Sequence, residues 1–101
     1  MISIESEERL WRRFFALHDE TTYKLKTIEV DPGGSFSYQH HHKRSEAWNM
    51  VEGVGAITLN GDVKDFSKGE TILIPQGVKH RIENKGLGKV VFIEVQTGSY
   101  F

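Results

Sequence analysis

The chain has 101 residues, about one domain's length, and its 13 Lys+Arg against 14 Asp+Glu leave a net charge of −1. That balance offers no basic field for a phosphate backbone, and no stretch approaches the eighteen or so apolar residues of a membrane span, so neither nucleic acid nor a membrane is an expected partner. With no cysteine, disulfides, thiol nucleophiles and thiolate metal sites are excluded; a domain this small then needs an efficient core, a metal held by nitrogen and oxygen, or a partner subunit.

The amino terminus is acidic and lacks the apolar h-region of a secretion signal, so a cytoplasmic protein is the expectation. Leu10, Phe14 and Leu17 share one helical face, which predicts a short helix over residues 5–12, although residues 13–18 would also serve as an edge strand. Period-2 patterns dominate from Tyr23 onward. Residues 22–30 read as a strand ending in the turn Asp31-Pro32-Gly33-Gly34. Residues 35–40 alternate Phe36 and Tyr38 with polar side chains. Residues 47–51 and 54–59 flank Glu52-Gly53. Asn60-Gly61 is a strong hairpin signal, with Val63 and Phe66 on the return strand. Residues 71–74 lead into the turn Pro75-Gln76-Gly77. Residues 78–82 set Val78, His80 and Ile82 on one face and Lys79, Arg81 and Glu83 on the other. After the Gly86-Leu87-Gly88 loop, residues 89–96 form a long last strand. Many short strands divided by glycine turns predict a single all-β domain over 1–101, a sandwich or barrel of the jelly-roll type.

The chemistry concentrates in Gln39-His40-His41-His42-Lys43-Arg44-Ser45-Glu46. On a strand His40 and His42 point to one face and His41 to the other. Glu46 lies beyond a short loop that can return it beside them, and His80, flanked by Val78 and Ile82, is expected to face inward. Three imidazoles and a carboxylate suit Zn, Mn, Fe or Ni. An internal run framed by glycines does not read as a terminal tag. Imidazoles must be neutral to coordinate, so affinity should fall below about pH 6.5.

These residues carry a resemblance. Gly34, His40, His42, Glu46 and Gly53 are spaced as in the first cupin motif, covering 34–53. Gly69, Pro75, Gly77, His80 and Asn84 are spaced as in the second, covering 69–84. The chain therefore resembles a cupin, which implies a small double-stranded β-helix with a metal inside. A closer resemblance, to type II phosphomannose isomerase, rests on Tyr23-Lys24-Leu25-Lys26, Pro32-Gly33, the 39–48 run with Arg44-Ser45-Glu46 and Trp48, Ile74-Pro75, residues 80–84 and residues 93–100. In that family the domain is often the carboxy-terminal part of a bifunctional mannose-1-phosphate guanylyltransferase, and nothing here resembles a nucleotide-binding signature. Three features depart from the family pattern. Arg9-Leu10-Trp11-Arg12 stands where an Arg-Pro-Trp-Gly-like segment is common, Phe101 ends the sequence where an acidic tail is usual, and related isomerases use a Gln/His pair that would here be Gln39 and His41. His40 and His42 are preferred because imidazole binds transition metals better than a neutral amide.

The resemblance implies a metal-dependent isomerase interconverting mannose 6-phosphate and fructose 6-phosphate, with Zn or Mn first and Fe or Ni next. Arg44, Lys79 and Arg81 are candidate phosphate partners, although alternation turns Lys79 and Arg81 away from His80. Tyr38 and Trp48 are candidate pocket walls. The base is unassigned: Glu46 is first a ligand, Glu83 and Glu94 have no fixed place, and His18 reads as a surface residue. The alternatives are a non-catalytic cupin that binds a sugar or small ligand, and a metal-dependent dioxygenase, because one barrel hosts many chemistries. A homodimer is expected, with Leu10, Trp11, Phe14 and Phe15 either packing across a two-fold axis or closing the barrel.

Overall fold

Ten strands account for all the regular structure in the computed structural model, which describes residues 5–8, 12–19, 23–39 and 44–98, with side chains at 23–35 and 44–98. They are β1 (Glu5–Glu8), β2 (Arg12–Asp19), β3 (Tyr23–Val30), β4 (Ser35–Gln39), β5 (Arg44–Glu52), β6 (Val54–Leu59), β7 (Asp62–Ser67), β8 (Thr71–Ile74), β9 (His80–Glu83) and β10 (Val90–Gly98). Two antiparallel sheets face each other. One is six-stranded in the order β1-β2-β3-β10-β5-β8, and the other is four-stranded in the order β4-β9-β6-β7. This is the jelly-roll expectation, met strand for strand from Tyr23 onward.

The predicted helix is not formed. Glu5–Glu8 is a strand, Arg12 opens another, and residues 9–11 lie outside the described residues. The apolar spacing of this segment fits either structure, and tertiary context decides between them. β2 finds a full antiparallel partner in β3, with Phe14 opposite Ile28 and Phe15 opposite Thr27. β1 is the sheet edge and carries three glutamates in four residues, a composition that discourages further strand addition.

Local turn chemistry accounts for the hairpins. Asn60 (φ 48°) and Gly61 (φ 89°) are both left-handed, as a two-residue type I′ turn requires, and they place β6 against β7 with Leu59 opposite Asp62. Between the sheets lies one core of Ile28, Val30, Trp48, Met50, Ile57, Phe66, Ile72, Ile74, Ile82, Val90 and Phe92. Asn84 closes one end of it. Its Nδ2 donates to the carbonyls of Val30 and Gly88, each at 2.8 Å, and its Oδ1 accepts from the Gly86 amide at 3.1 Å.

Six connections cross from sheet to sheet, and two of them bear on the site. The β4 to β5 connection carries residues 40–43, and the β8 to β9 turn over Pro75-Gln76-Gly77 delivers His80. The end of β4 and the start of β9 lie at the same end of the sandwich, because Gln39 is opposite His80.

Candidate functional site

Along the inner face of the six-stranded sheet the residues change from apolar to polar in register. Met50 stands opposite Phe92, and Phe92 opposite Ile28. In the next row Ile72, Trp48, Glu94 and Lys26 lie side by side; in the row after it come Ile74, Glu46, Gln96 and Lys24. β-strand alternation therefore continues the core's inward positions straight into a buried polar cluster. Glu46, His80, Glu94 and Gln96 are all buried, with Glu94 at 5% and Gln96 at 0% exposure.

Glu46 is the hub. Trp48 Nε1 donates to its Oε1 at 2.8 Å and Arg44 Nε to its Oε2 at 3.1 Å. His80 Nε2 reaches over from the four-stranded sheet to 3.8 Å from Oε1. The other ring nitrogen of His80, Nδ1, lies 3.1 Å from the Val78 carbonyl. That contact holds the ring with Nε2 turned towards Glu46, the orientation that a second-shell carbonyl gives a metal-binding imidazole. Trp48 stacks on Phe92 at 4.5 Å and meets the His80 ring edge-on at 5.5 Å, so one side chain joins core and site.

The sequence fixes no place for Glu94; the structure sets it beside Glu46. Burial, then the Glu46 charge and the hydrogen bond between the two carboxyls, push Glu94 up to about 8, against smaller opposing effects of Gln96 and Lys26. For Glu46 burial also acts upward, but the Glu94 hydrogen bond, the charges of His80 and Arg44 and the Trp48 indole together bring it below its ordinary value. The environments push the two apart, so the pair shares one proton, held mainly by Glu94. Gln96 Nε2 donates to Glu94 Oε2. Its Oε1 is buried without a hydrogen-bond partner among the described residues, a costly arrangement unless a ligand or water donates to it.

Of the predicted metal ligands, Glu46 and His80 are brought together. His40 and His42 lie outside the described residues, as does the alternative His41. Gln39 is described by its backbone only. β4 gains an extra residue against β9 between Phe36 and Gln39, which sets Gln39 opposite His80. No group of three His, Cys, Asp or Glu residues suited to a metal occurs among the described residues. The two ligands that are described suit a borderline ion: carboxylate and imidazole donors 3.8 Å apart are within reach of one ion with bonds of about 2 Å.

Arg44 is turned into the site, on Glu46. Lys79 is exposed, its amide donating to Asn60 Oδ1 at 2.9 Å. Arg81 sits 3.3 Å from Glu83 on the outer face of β9. Alternation had indicated that both point away from His80. Trp48 lines the site, and the side chain of Tyr38 is outside the described set, as is that of His18. The sequence reading did not single out Gln96, Lys24 or Lys26 as site residues. β3 places both lysines, half-buried, in the inner rows beside Gln96 and Glu94. Their signal was the parity of Val90, Phe92, Glu94 and Gln96, which was masked because Val91, Ile93 and Val95 make the other parity apolar as well.

Residues 4–101 match the family described as Mannose-6-phosphate isomerase C-terminal. The chain is 40% identical over 92 residues to the mannose-1-phosphate guanylyltransferase ManC of Salmonella typhimurium, covering 91% of this chain and 19% of that protein. It thus spans about a fifth of the length of such relatives. Among solved structures, the Cnp3 cupin domain of Schizosaccharomyces pombe superposes with a TM-score of 0.86 at 16% identity, over 95% of this chain and 69% of that one. A sugar phosphate isomerase of the cupin superfamily from Silicibacter pomeroyi gives 0.77 at 21% identity, over 85% and 59%. At these identities the likeness is one of fold: the double-stranded β-helix of the cupins. Among the described residues no helix is long and apolar enough to cross a membrane.

Proposed function

The chain belongs to the mannose-6-phosphate isomerase C-terminal family, and from that premise we propose that it is a metal-dependent isomerase interconverting mannose 6-phosphate and fructose 6-phosphate. The observation that carries this reading is the buried acid pair inside the barrel: Glu94 hydrogen-bonded to Glu46, with His80 facing Glu46 across the sheets. Moving a proton between C1 and C2 of a sugar requires a group that takes the proton from one carbon and returns it to the next, in a place closed to water.

In this reading Glu46 and His80, with His40 and His42 or the alternative pair Gln39 and His41, hold a divalent ion, Zn or Mn first. Bound there, it would polarise the sugar carbonyl and stabilise the negative charge that develops on the enediolate. Glu94 carries the proton, because it is the inward carboxyl beside Glu46. Trp48, fixed by its bond to Glu46 and its stack on Phe92, forms the wall that excludes water. Gln96 Oε1 accepts from a sugar hydroxyl, which satisfies its buried lone pairs. The phosphate is drawn to the cationic inner rows, Lys24, Lys26 and Arg44, rather than to the outward Lys79 and Arg81; Arg gives bidentate contacts and Lys a point charge.

The test is solvent exchange. Metal-replete protein in deuterium oxide should wash the C2 proton out of mannose 6-phosphate and form fructose 6-phosphate. Absence of both at high protein concentration would falsify the isomerase reading. A second reading, ligand binding without turnover, is favoured by one observation: both Glu46 oxygens are already engaged, by Trp48 and Arg44. A thermal shift with mannose 6-phosphate but no exchange supports that reading over catalysis.

A further inference from the structure

His80 enters the site from a segment that belongs to no strand. Residues 75–79 lie between β8 and β9, and their turn closes with a long bond, Val78 N to Pro75 O at 3.3 Å. Residue 79 is tied to Asn60 instead. β6 and β9 pair antiparallel as far as Leu59 opposite His80, so Asn60 and Lys79 come next in register. A hydrogen-bonded pair at this place exchanges two main-chain bonds. One is made: Asn60 N donates to Lys79 O at 2.8 Å. The return bond goes to a side chain, because Asn60 is left-handed (φ 48°) and already leads into the turn to β7. Lys79 N donates to Asn60 Oδ1 at 2.9 Å. The asparagine side chain thus stands in for a main-chain carbonyl and lengthens the ladder by one residue.

The consequence lies on the other side of the same peptide. Lys79 N–H and Val78 C=O belong to one planar unit, and Val78 O lies 3.1 Å from His80 Nδ1. His80 Nε2 in turn lies 3.8 Å from Glu46 Oε1. A line of contacts therefore runs from Asn60 Oδ1 through the 78–79 peptide and the imidazole to Glu46. Fixing one end of a planar amide fixes the direction of the other, and a bonded N–H makes its carbonyl the stronger acceptor. Asn60 and Lys79 are both exposed, so the bond between them adds little to global stability. Its effect is on the geometry of the ring.

We propose that Asn60 is a positioning residue for His80, holding the imidazole with Nδ1 on the Val78 carbonyl and Nε2 towards Glu46. This role builds on the reading of His80 as a metal ligand and places Asn60 one step behind the carbonyl that orients it. The turn alone does not require this side chain. Glycine suits both central positions of a type I′ turn, so Asn60→Gly keeps the turn and removes only the acceptor. Asn60→Asp keeps both.

Nuclear magnetic resonance of the metal-free chain reads the effect directly. The Lys79 amide should exchange with solvent at least about threefold faster in Asn60→Gly than in the wild type. At about pH 9, where an ordinary imidazole is neutral, the ring-nitrogen shifts of His80 should show the Nδ1–H tautomer in the wild type. In Asn60→Gly they should show a mixture, and Asn60→Asp should restore the wild-type pattern in both measurements. Titration with Mn or Zn reads the consequence. Asn60→Gly should bind the ion about tenfold more weakly, with the thermal midpoint of the metal-free protein nearly unchanged, and Asn60→Asp should bind as the wild type does. A wild type that binds neither ion removes the metal reading, and amide exchange and tautomer then decide the role of Asn60 by themselves. Exchange and tautomer that Asn60→Gly leaves unchanged overturn the proposal. So does an Asn60→Asp chain that behaves like the glycine variant, or a wild-type His80 protonated at Nε2.

Discussion

Replacing Asn84 by alanine removes the clamp that ties the end of β9 to the end of β3 and to the loop before β10. Three hydrogen bonds go at once: two from Nδ2, to Val30 O and Gly88 O, and one to Oδ1 from the Gly86 amide. Val30 O loses its partner in a fully buried setting, which costs about 1–3 kcal/mol, and the two part-buried groups add about 0.5–1 kcal/mol each. The main-chain bonds Asn84 N to Gly34 O and Gly33 N to Asn84 O can survive the change, so the expected total is about 3 kcal/mol. With a urea dependence of about 1.5 kcal/mol per molar, the midpoint falls by about 2 M, and Tm falls by roughly 12–24 °C. Asn84→Asp sharpens the test. It keeps the acceptor for Gly86 but turns Nδ2, with its two N–H donors, into one carboxylate oxygen facing two carbonyls. At pH 7 it should be no more stable than Asn84→Ala, and it should recover relative to alanine as the pH is lowered and the carboxyl gains a proton to donate. Urea denaturation at pH 7 and pH 4.5 measures both. A loss under about 1 kcal/mol for alanine, or an aspartate variant more stable than alanine at pH 7, would refute the clamp.

Other outcomes follow from the site and the turns. His80→Ala should sharply reduce the metal content measured by plasma mass spectrometry, whereas undiminished content would remove His80 from the ligand set. Glu94→Gln should abolish proton exchange by at least about a hundredfold, the scale of a lost general acid or base, with mannose 6-phosphate still raising Tm; retained exchange would exclude Glu94 as the proton carrier. In metal-free protein kept in chelator, Glu94 holds a proton to about pH 8 when folded and loses it at its ordinary 4.5 when unfolded. Its stabilising effect is therefore complete below 4.5 and is lost as the pH rises towards 8, by a few kcal/mol. Glu94→Gln should flatten that decline, and an unchanged pH profile would show that the buried proton is absent. Gly53→Ala should destabilise by more than the roughly 1 kcal/mol of Gly61→Ala. Both glycines have positive φ, but a Cβ at Gly53 runs into the Lys89 carbonyl while one at Gly61 meets nothing within 4 Å; equal losses would contradict the close approach.

Much of the fold was legible because the signals were local. The Asn60-Gly61 turn, the glycine at 53 and the inward alternation of His80 and Ile82 act within a few residues and form as read, although the strand expected over 78–82 begins only at His80 and Val78 packs on the core from the turn before it. The amino-terminal strands were not legible, since Leu10, Phe14 and Leu17 fit a helical face while residues 13–18 also suit an edge strand, and only the partner strand β3 settles which is used. The extra residue in β4 before Gln39 is a matter of pairing with β9, and across such a bulge simple alternation no longer tells which members of a three-histidine run share a face.

The candidate site divides in the same way. Residue type and spacing by themselves singled out Glu46 and His80 as partners 34 positions apart, because metal chemistry leaves few residue types to choose from. Glu94, Gln96, Lys24 and Lys26 became site residues only through the tertiary structure. β10 is apolar at both parities, so its sequence does not say which face is inside, and the two neighbouring strands make that choice by register. The same register that turns Glu94 inward onto Glu46 turns Ile93 and Val95 outward. Composition determined that so small a cysteine-free chain needs a metal, a partner or a tight core for its stability. Which side chains meet across the two sheets, and which apolar row faces outward, was decided by long-range pairing.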